Sequence, residues 1–313
     1  MASPDRLRNN RAAELHPTEV KSVHNQEQIE FWNGPGGSKW VAHNGMMEAL
    51  LHDIGFIAIN AAAPQAGEKA LDIGCGCGNQ TLDLARVIGT EGEVIGVDVS
   101  GPMLQLANRL YVKASAHESM ARVGFVQADA AEHEFVDRHF DLLYSRFGVM
   151  FFDQPEAAFV NLRSALKPGG RLAFVCWQAA ELNPFMSVPM RAALQHLPAP
   201  PPMPPGAPGP FAFADAGYLA SILETAGFDQ IRIDPVERPL HFGKGHSLEA
   251  ACAELIEIGP ISRLLLEADE ATRAHAEDAV RETLASYYTP ETGLNFAGAF
   301  WLVTAINPTG SAA

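Results

Sequence analysis

The pattern of hydrophobic and polar positions changes rhythm twice along the chain. Residues 1–24 are polar, show no period and read as a loose tail. Asn25 to Trp32 has the spacing of a short helix and ends in the breaker Asn33-Gly-Pro-Gly-Gly37. A longer helix is predicted from Gly45 to Ala62, stopping before Pro64. From Lys69 onward, short apolar runs alternate with amphipathic segments. Strands are expected at Lys69–Ile73, Glu93–Asp98, Ala121–Gln127, Phe140–Ser145 and Arg171–Trp177. Helices are expected at Asn79–Ile88, Pro102–Ala114 and Pro155–Leu166. Strand–helix alternation of this kind builds a mostly parallel sheet covered on both faces, an α/β fold with right-handed crossovers.

After Trp177 the alternation breaks. The run PAPPPMPPGAPGP at residues 198–210 cannot be helix or central strand and reads as a stiff, extended linker. A helix at Asp215–Ala226 and a strand at Phe228–Val236 follow, then a helical block over Ser247–Ser286 and a last strand at Asn295–Ala305. This gives a helical cap at 25–64, a core at 65–177 and a Pro-rich insertion at 178–213. The core resumes at 214–238, a helical lid fills 239–292, and 293–313 holds a terminal strand and tail.

Composition narrows the class. Of 313 residues, 47% are hydrophobic and 19% charged, which is enough apolar surface for a packed core. The formal net charge of −15, with no Lys/Arg run, argues against a nucleic-acid partner. The start of the chain has no apolar core that would serve as a signal peptide. The most apolar helix is interrupted by His52, Asp53 and Asn60, so no membrane span is expected. Cysteines 75, 77, 176 and 252 have neither disulfide-framework nor zinc-like spacing. The expectation is a reduced, cytoplasmic protein without a metal.

The chemistry-bearing segment is Leu71-Asp-Ile-Gly-Cys-Gly-Cys-Gly-Asn79, where a buried strand runs into alternate glycines and then a helix. Such a turn lets the backbone approach a ligand beyond the carboxyl ends of parallel strands. Asp98 ends the second strand, where a carboxylate accepts hydrogen bonds from two ribose hydroxyls. Asp129 follows the third, where a carboxylate accepts from an adenine amino group. Gly74, Gly76 and Gly78 give G-x-G-x-G, not the dinucleotide spacing G-x-G-x-x-G, and no lysine follows for a triphosphate. Asp72 either braces the loop amides or meets the amino-acid part of a cofactor.

This segment resembles motif I of the class I S-adenosylmethionine-dependent methyltransferases. Val97-Asp98-Val-Ser100 resembles their ribose-binding motif, and Phe140 to Phe147 and Leu166 to Arg171 their fourth- and fifth-strand motifs. The likeness is close over about residues 65–177 and extends to the group that includes ubiquinone and menaquinone methyltransferases. It implies a Rossmann-like seven-stranded sheet in the order 3-2-1-4-5-7-6, with the last strand antiparallel. It also implies that S-adenosylmethionine lies against Gly74, Gly76, Gly78, Asp98, Val99, Ala128, Asp129, Ala130 and the backbone near Ser145, with Met103 packed on the adenine. Cys75 and Cys77 fall where the family varies and read as small residues filling a tight turn.

Both insertions and the segment Phe31 to Trp40 emerge on the cofactor's side of the sheet. Trp32 and Trp40 either face the sulfonium, since ring faces attract cations, or pack in the core. Arg146, Phe147, Trp177 and Phe213 are the expected substrate-pocket residues, with Tyr144, Phe211, Tyr287 and Tyr288 as further aromatic candidates. His43, Arg146 and His241 are weak catalytic candidates, because methyl transfer relies mainly on alignment and desolvation. The expected activity is methyl transfer to a small, partly hydrophobic acceptor. The alternatives are a non-catalytic S-adenosylmethionine-binding sensor or regulatory subunit and, less favoured by the glycine spacing, a dinucleotide-dependent oxidoreductase. The apolar stretch Ala250 to Leu266 suits a lid or a homodimer interface equally.

Overall fold

The structure is a computed structural model that describes residues 25–202 and 204–309. The expected tail at 1–24 lies outside them. Three helices come first, α1 (Gln26–Asn33), α2 (Pro35–Ala42) and α3 (Asn44–Ala62). The core then runs β1 (Lys69–Ile73), α4 (Asn79–Ile88), β2 (Glu93–Asp98), α5 (Gly101–Ser115), β3 (Arg122–Gln127), β4 (Phe140–Arg146), α6 (Pro155–Ala165) and β5 (Leu166–Trp177). Beyond it lie α7 (Pro184–Ala193), α8 (Ala216–Thr225) and β6 (Asp229–Phe242). The chain closes with α9 (Leu248–Ile258), α10 (Ile261–Glu267), α11 (Glu270–Leu284), β7 (Tyr288–Thr289) and β8 (Gly293–Ile306).

The sheet order is β3-β2-β1-β4-β5-β8-β6, with the two-residue β7 paired to β8 as an eighth strand. β1 to β5 are parallel and β8 runs antiparallel between β5 and β6. This is the expected order, with the short β7 added. α3 and α4 pack together on one face, with α5 beside α4, while α6 and α8 pack together on the other. α3 explains its own position. Met47, Leu50, Leu51, Ile54, Ala58, Ile59 and Ala62 recur at helical spacing and are all buried.

Two local expectations are corrected. The breaker expected at Asn33 to Gly37 is confined to one residue. The chain breaks only at Gly34, and Gly36 and Gly37 lie inside α2. Gly37 serves close approach, since a Cβ there would run into the Trp32 carbonyl and the Ser100 hydroxyl. The strand expected to end at Val236 continues to Phe242 through Pro235 and Pro239. Because β6 is the sheet's edge, a proline that cannot donate to the ladder is tolerated there.

β8 pairs with β5 only from Phe300 to Ile306. Its first half, Leu294 to Ala299, pairs with Glu237 to Phe242 of β6, so the two strands project past the sheet as a ribbon. The lid helices α9, α10 and α11 are inserted at the end of this ribbon, and α7 from the first insertion packs against α10 and α11. Phe185 of α7 sits 5.9 Å from Phe242 and 5.8 Å from Phe296, ring centre to ring centre, giving the lid a small core of its own. The Pro-rich run forms neither helix nor strand and ends with the Gly209 amide donating to the Met150 carbonyl at 3.0 Å. No described helix is long and apolar enough to cross a membrane.

The first insertion is fastened by Asn183, which is fully buried. Its amide nitrogen donates to the carbonyls of Gln178 (3.2 Å), Ala179 (3.1 Å) and Ala299 (3.1 Å), and its oxygen accepts from the Ala299 amide at 2.9 Å. Replacing it with alanine takes away the side-chain partner of the Ala299 amide and the Gln178 carbonyl in the interior, while the Ala179 and Ala299 carbonyls keep the Leu182 and Gln178 amides. We expect Asn183→Ala to lower stability by about 2–4 kcal/mol in urea unfolding. A loss below about 0.5 kcal/mol would show that Asn183 does not fasten the insertion.

Candidate cofactor and acceptor site

The loop from Gly74 to Gly78 leaves β1 at the carboxyl edge of the sheet. Gly74 (φ 65°) and Gly76 (φ 55°) both adopt left-handed backbone, for different reasons. A Cβ on Gly74 would lie 2.6 Å from the Gly148 Cα, so the loops after β1 and β4 touch backbone to backbone. A Cβ on Gly76 would meet nothing nearer than the Met103 sulfur at 3.8 Å, so that turn stands open. Ser145 closes the contact from below, its hydroxyl donating to the Ile73 carbonyl at 2.7 Å and accepting from the Gly148 amide at 3.1 Å.

Asp98 ties this loop to the end of β2. One carboxylate oxygen accepts from the Gly76 amide and the other from the Ser100 amide, both at 2.8 Å. Burial pushes its carboxyl up to about 6, moderated by the amides of Ser100, Gly76 and Val99. Asp72 is also buried and is pushed up to about 7 by desolvation, against the pull of the Thr81 hydroxyl bonded to it at 2.6 Å. It therefore braces α4 through Thr81. Asp129 accepts from the Ala131 amide at 2.9 Å and from the Asn25 side chain at 3.3 Å, and burial raises its carboxyl as well. The Ala128 amide donates to the Asp98 carbonyl at 3.1 Å, and Ala130 is buried beside Asp129. The edge thus brings together Gly74, Gly76, Gly78, Asp98, Val99, Met103, Ala128, Asp129 and Ala130.

The helical cap is sewn to the same edge. Asn33 donates to the Val99 carbonyl at 2.8 Å and accepts from the Gly101 amide at 3.0 Å and from Gln127 at 3.2 Å. The Ser100 hydroxyl donates to the Trp32 carbonyl at 2.6 Å. Trp32 packs edge-on against Trp40 (6.0 Å) and Phe151 (5.4 Å), so the two tryptophans form one partly buried cluster with the loop after β4.

The expected acceptor residues divide. Phe147, in left-handed backbone at φ 64°, stacks on Trp177 with centroids 4.6 Å apart, and Trp177 lies 4.8 Å from Phe300. This aromatic group stands at the carboxyl ends of β4 and β5. Phe213 is instead 1% exposed and packs near Phe159 at 6.2 Å, so it belongs to the core under α6. Tyr144 is likewise buried, its hydroxyl 2.7 Å from the Gln80 oxygen. Phe211 is half-buried against the core, and Tyr287 stacks on Phe296 at 5.3 Å. Tyr288 donates to the His246 carbonyl at 2.7 Å.

Arg146 does not stand free for an anionic acceptor. Its guanidinium takes both oxygens of Glu48, at 3.1 and 2.9 Å. His241 points to solvent from the edge strand, within 2.6 Å of Asn295. His43 lies 3.3 Å from Glu257 of α9 and so joins the cap to the lid. Among the described residues, Glu48, His52 and Asp83 bring possible metal-ligand atoms within 4.8 Å of one another. Arg146 pairs with Glu48, however, and Arg86 (2.8 Å) and Gln80 (3.0 Å) occupy Asp83, so the trio is part of a charge-compensated network. Sequence reasoning missed Asn25, Asn33 and Gln127. The signal for the two asparagines is that they bound a short helix, and Gln127 at the end of β3 carries none.

Comparison with known proteins agrees with this geometry. Residues 70–170 match the family described as methyltransferase domain. The chain is 34% identical over 137 residues to the ubiquinone/menaquinone biosynthesis C-methyltransferase UbiE of Azotobacter vinelandii, a match covering 43% of this chain and 53% of that protein. It thus spans about half the length of the curated relatives it matches. A putative methyltransferase from Bacillus halodurans superposes with a TM-score of 0.52 at 20% identity, over 80% of this chain and 97% of that one. Haemonchus contortus phosphoethanolamine N-methyltransferase 2, solved with phosphomonomethylethanolamine and S-adenosylhomocysteine, gives 0.54 at 17% identity, over 92% and 61%. Those two likenesses speak for the fold alone. Over residues 70–170 the chain is thus similar to the methyltransferase domain, and it resembles the class I S-adenosylmethionine-dependent methyltransferases of the ubiquinone/menaquinone group.

Proposed function

We propose that the chain binds S-adenosylmethionine across the ends of β1, β2 and β3 and catalyses methyl transfer to a small, partly hydrophobic acceptor held under the lid. The observation that carries this reading is Asp98. Both of its oxygens are anchored by amides, yet each keeps lone pairs for the two hydroxyls of a ribose. The fit extends to the open turn at Gly76 and to Asp129, which keeps acceptor capacity at the end of β3. When bound, the cofactor supplies an electrophilic methyl on a sulfonium, already activated toward in-line displacement.

The chain's own contribution is alignment and exclusion of water. Gly74 lets the loop sit against Gly148, fixing the distance between the cofactor loop and the aromatic group of Phe147 and Trp177. That group offers an apolar surface where the acceptor would lie. The Trp32 and Trp40 cluster covers the sheet edge from the cap side, and the His43–Glu257 pair closes the seam between cap and lid. The curated relatives are named as C-methyltransferases of quinone biosynthesis, and an apolar ring-bearing acceptor is compatible with the aromatic surface here.

Calorimetric titration with S-adenosylhomocysteine should show one site per chain, and Asp98→Ala should weaken it at least about 100-fold through loss of charge-assisted hydrogen bonds. Normal binding by that variant would remove the ribose assignment. Binding should also depend on pH. Ribose hydroxyls donate to the ionised carboxylate, so affinity is full above pH 6 and falls by up to about ten-fold per pH unit below it, as Asp98 takes up a proton. A flat profile between pH 5 and 8 would contradict this. Labelled cofactor incubated with a metabolite extract should yield a labelled small product. Binding without any labelled product would favour a sensor over an enzyme.

A further inference from the structure

Asn25 precedes α1, where an asparagine ordinarily accepts a hydrogen bond from the helix's own first-turn amides. Here it does not. Its backbone is left-handed at φ 61°, and no capping bond is made by the side chain. The side chain instead reaches across to β3, where its amide nitrogen donates to Asp129 at 3.3 Å. That bond settles which way the amide faces, because the reverse orientation would set its oxygen against a carboxylate. The Asn25 oxygen is then left buried and without a hydrogen-bond partner, the one such side-chain atom among the described residues. A buried, unpaired acceptor is unfavourable unless something else satisfies it.

The chemistry of the place indicates what does. Two acceptors, the Asn25 oxygen and the Asp129 carboxylate, converge at the end of β3. A primary amino group on a heteroaromatic ring carries two donor hydrogens and is the complement of such a pair. A ring carbonyl at the same position would face two acceptors with no proton between them. We infer that Asn25, from the helical cap, completes the base subsite together with Asp129 and makes the chain selective for an adenine over its deaminated counterpart, hypoxanthine. This rests on the cofactor reading above and adds to it a specificity-determining residue outside the methyltransferase domain. It also gives the cap a binding role. Asn33 and the Trp32 carbonyl hold α1 against residues 99–101, and Asn25 is the side chain which that placement delivers to the base.

The test is equilibrium binding of S-adenosylhomocysteine and S-inosylhomocysteine, which carries a carbonyl in place of the amino group. The wild-type chain should prefer the adenosyl compound strongly. Asn25→Ala should weaken S-adenosylhomocysteine about ten-fold and leave S-inosylhomocysteine unchanged or slightly tighter, so the preference narrows. Asn25→Ser, which retains a shorter acceptor, should recover part of the preference. Thermal unfolding of the ligand-free variants should stay near wild type, since the loss of the long bond to Asp129 is offset by removal of an unpaired buried oxygen. Equal weakening of both ligands would mean a merely structural role and would overturn the inference, as would no change in either. Failure of the wild type to bind S-adenosylhomocysteine would overturn it together with the cofactor reading, whereas intact binding with an indifferent Asn25 would overturn the inference alone.

Discussion

The site depends on a single carboxylate placed between two pieces of backbone. Asp98 ends β2 and takes the Gly76 amide with one oxygen and the Ser100 amide with the other. The first bond fixes the cofactor loop, and the second fixes the start of α5, whose Ser100 hydroxyl in turn receives the cap through Trp32. Burial raises the energy of the ionised form, which is why the group titrates near 6, and the amides keep it ionised at neutral pH. Without that compensation the charge would be expelled or neutralised, and the loop would lose its anchor. Asp72 shows the same balance tipped further. It has one hydroxyl partner, and burial pushes its carboxyl up to about 7, so near neutral pH it divides between the protonated and ionised forms.

Two covers meet over this edge and differ in how they are built. The first two helices of the cap, α1 and α2, are light and polar in their attachments, held by Asn33, Gln127 and the Trp32 carbonyl, whereas α3 is buried along its apolar face. The lid is heavier, with aromatic rings from α7, β6 and β8 forming a core at the end of a two-strand ribbon. His43 and Glu257 join them, with Glu257 half exposed, so the seam is held weakly compared with either cover's own foundation.

Much of the parallel core was legible in the sequence. Lys69–Ile73 and Asn79–Ile88 are found at the bounds the pattern predicts, because a buried strand and an amphipathic helix differ in period and the glycines separate them sharply. The glycines of α2 misled for a definable reason. Gly37 is a contact glycine inside a helix, and local pattern does not distinguish that use from a turn. The prolines of β6 misled because edge position is a property of the whole sheet. Side-chain partners were the least legible. Arg146 and Glu48 lie 98 residues apart, and nothing near either announces the pairing that removes Arg146 from the acceptor side. Asn25 and Asp129 are 104 residues apart and pose the same difficulty. The carboxylates Asp98 and Asp129 were legible because each follows a predicted strand, and the strand order that brings those ends together was implied by the family resemblance.

The ribbon formed by β6 and β8 gives the chain a modular character. The lid leaves the ribbon after Phe242 and returns near Leu294, which are paired neighbours across it. A segment whose two ends are already side by side imposes little closure entropy and no change of register, whatever its length. Residues 243–292 therefore sit in the fold as an exchangeable cassette. That segment is free to change in size and shape while the carboxyl edge of β1, β2 and β3, on the far side of β5, keeps its geometry.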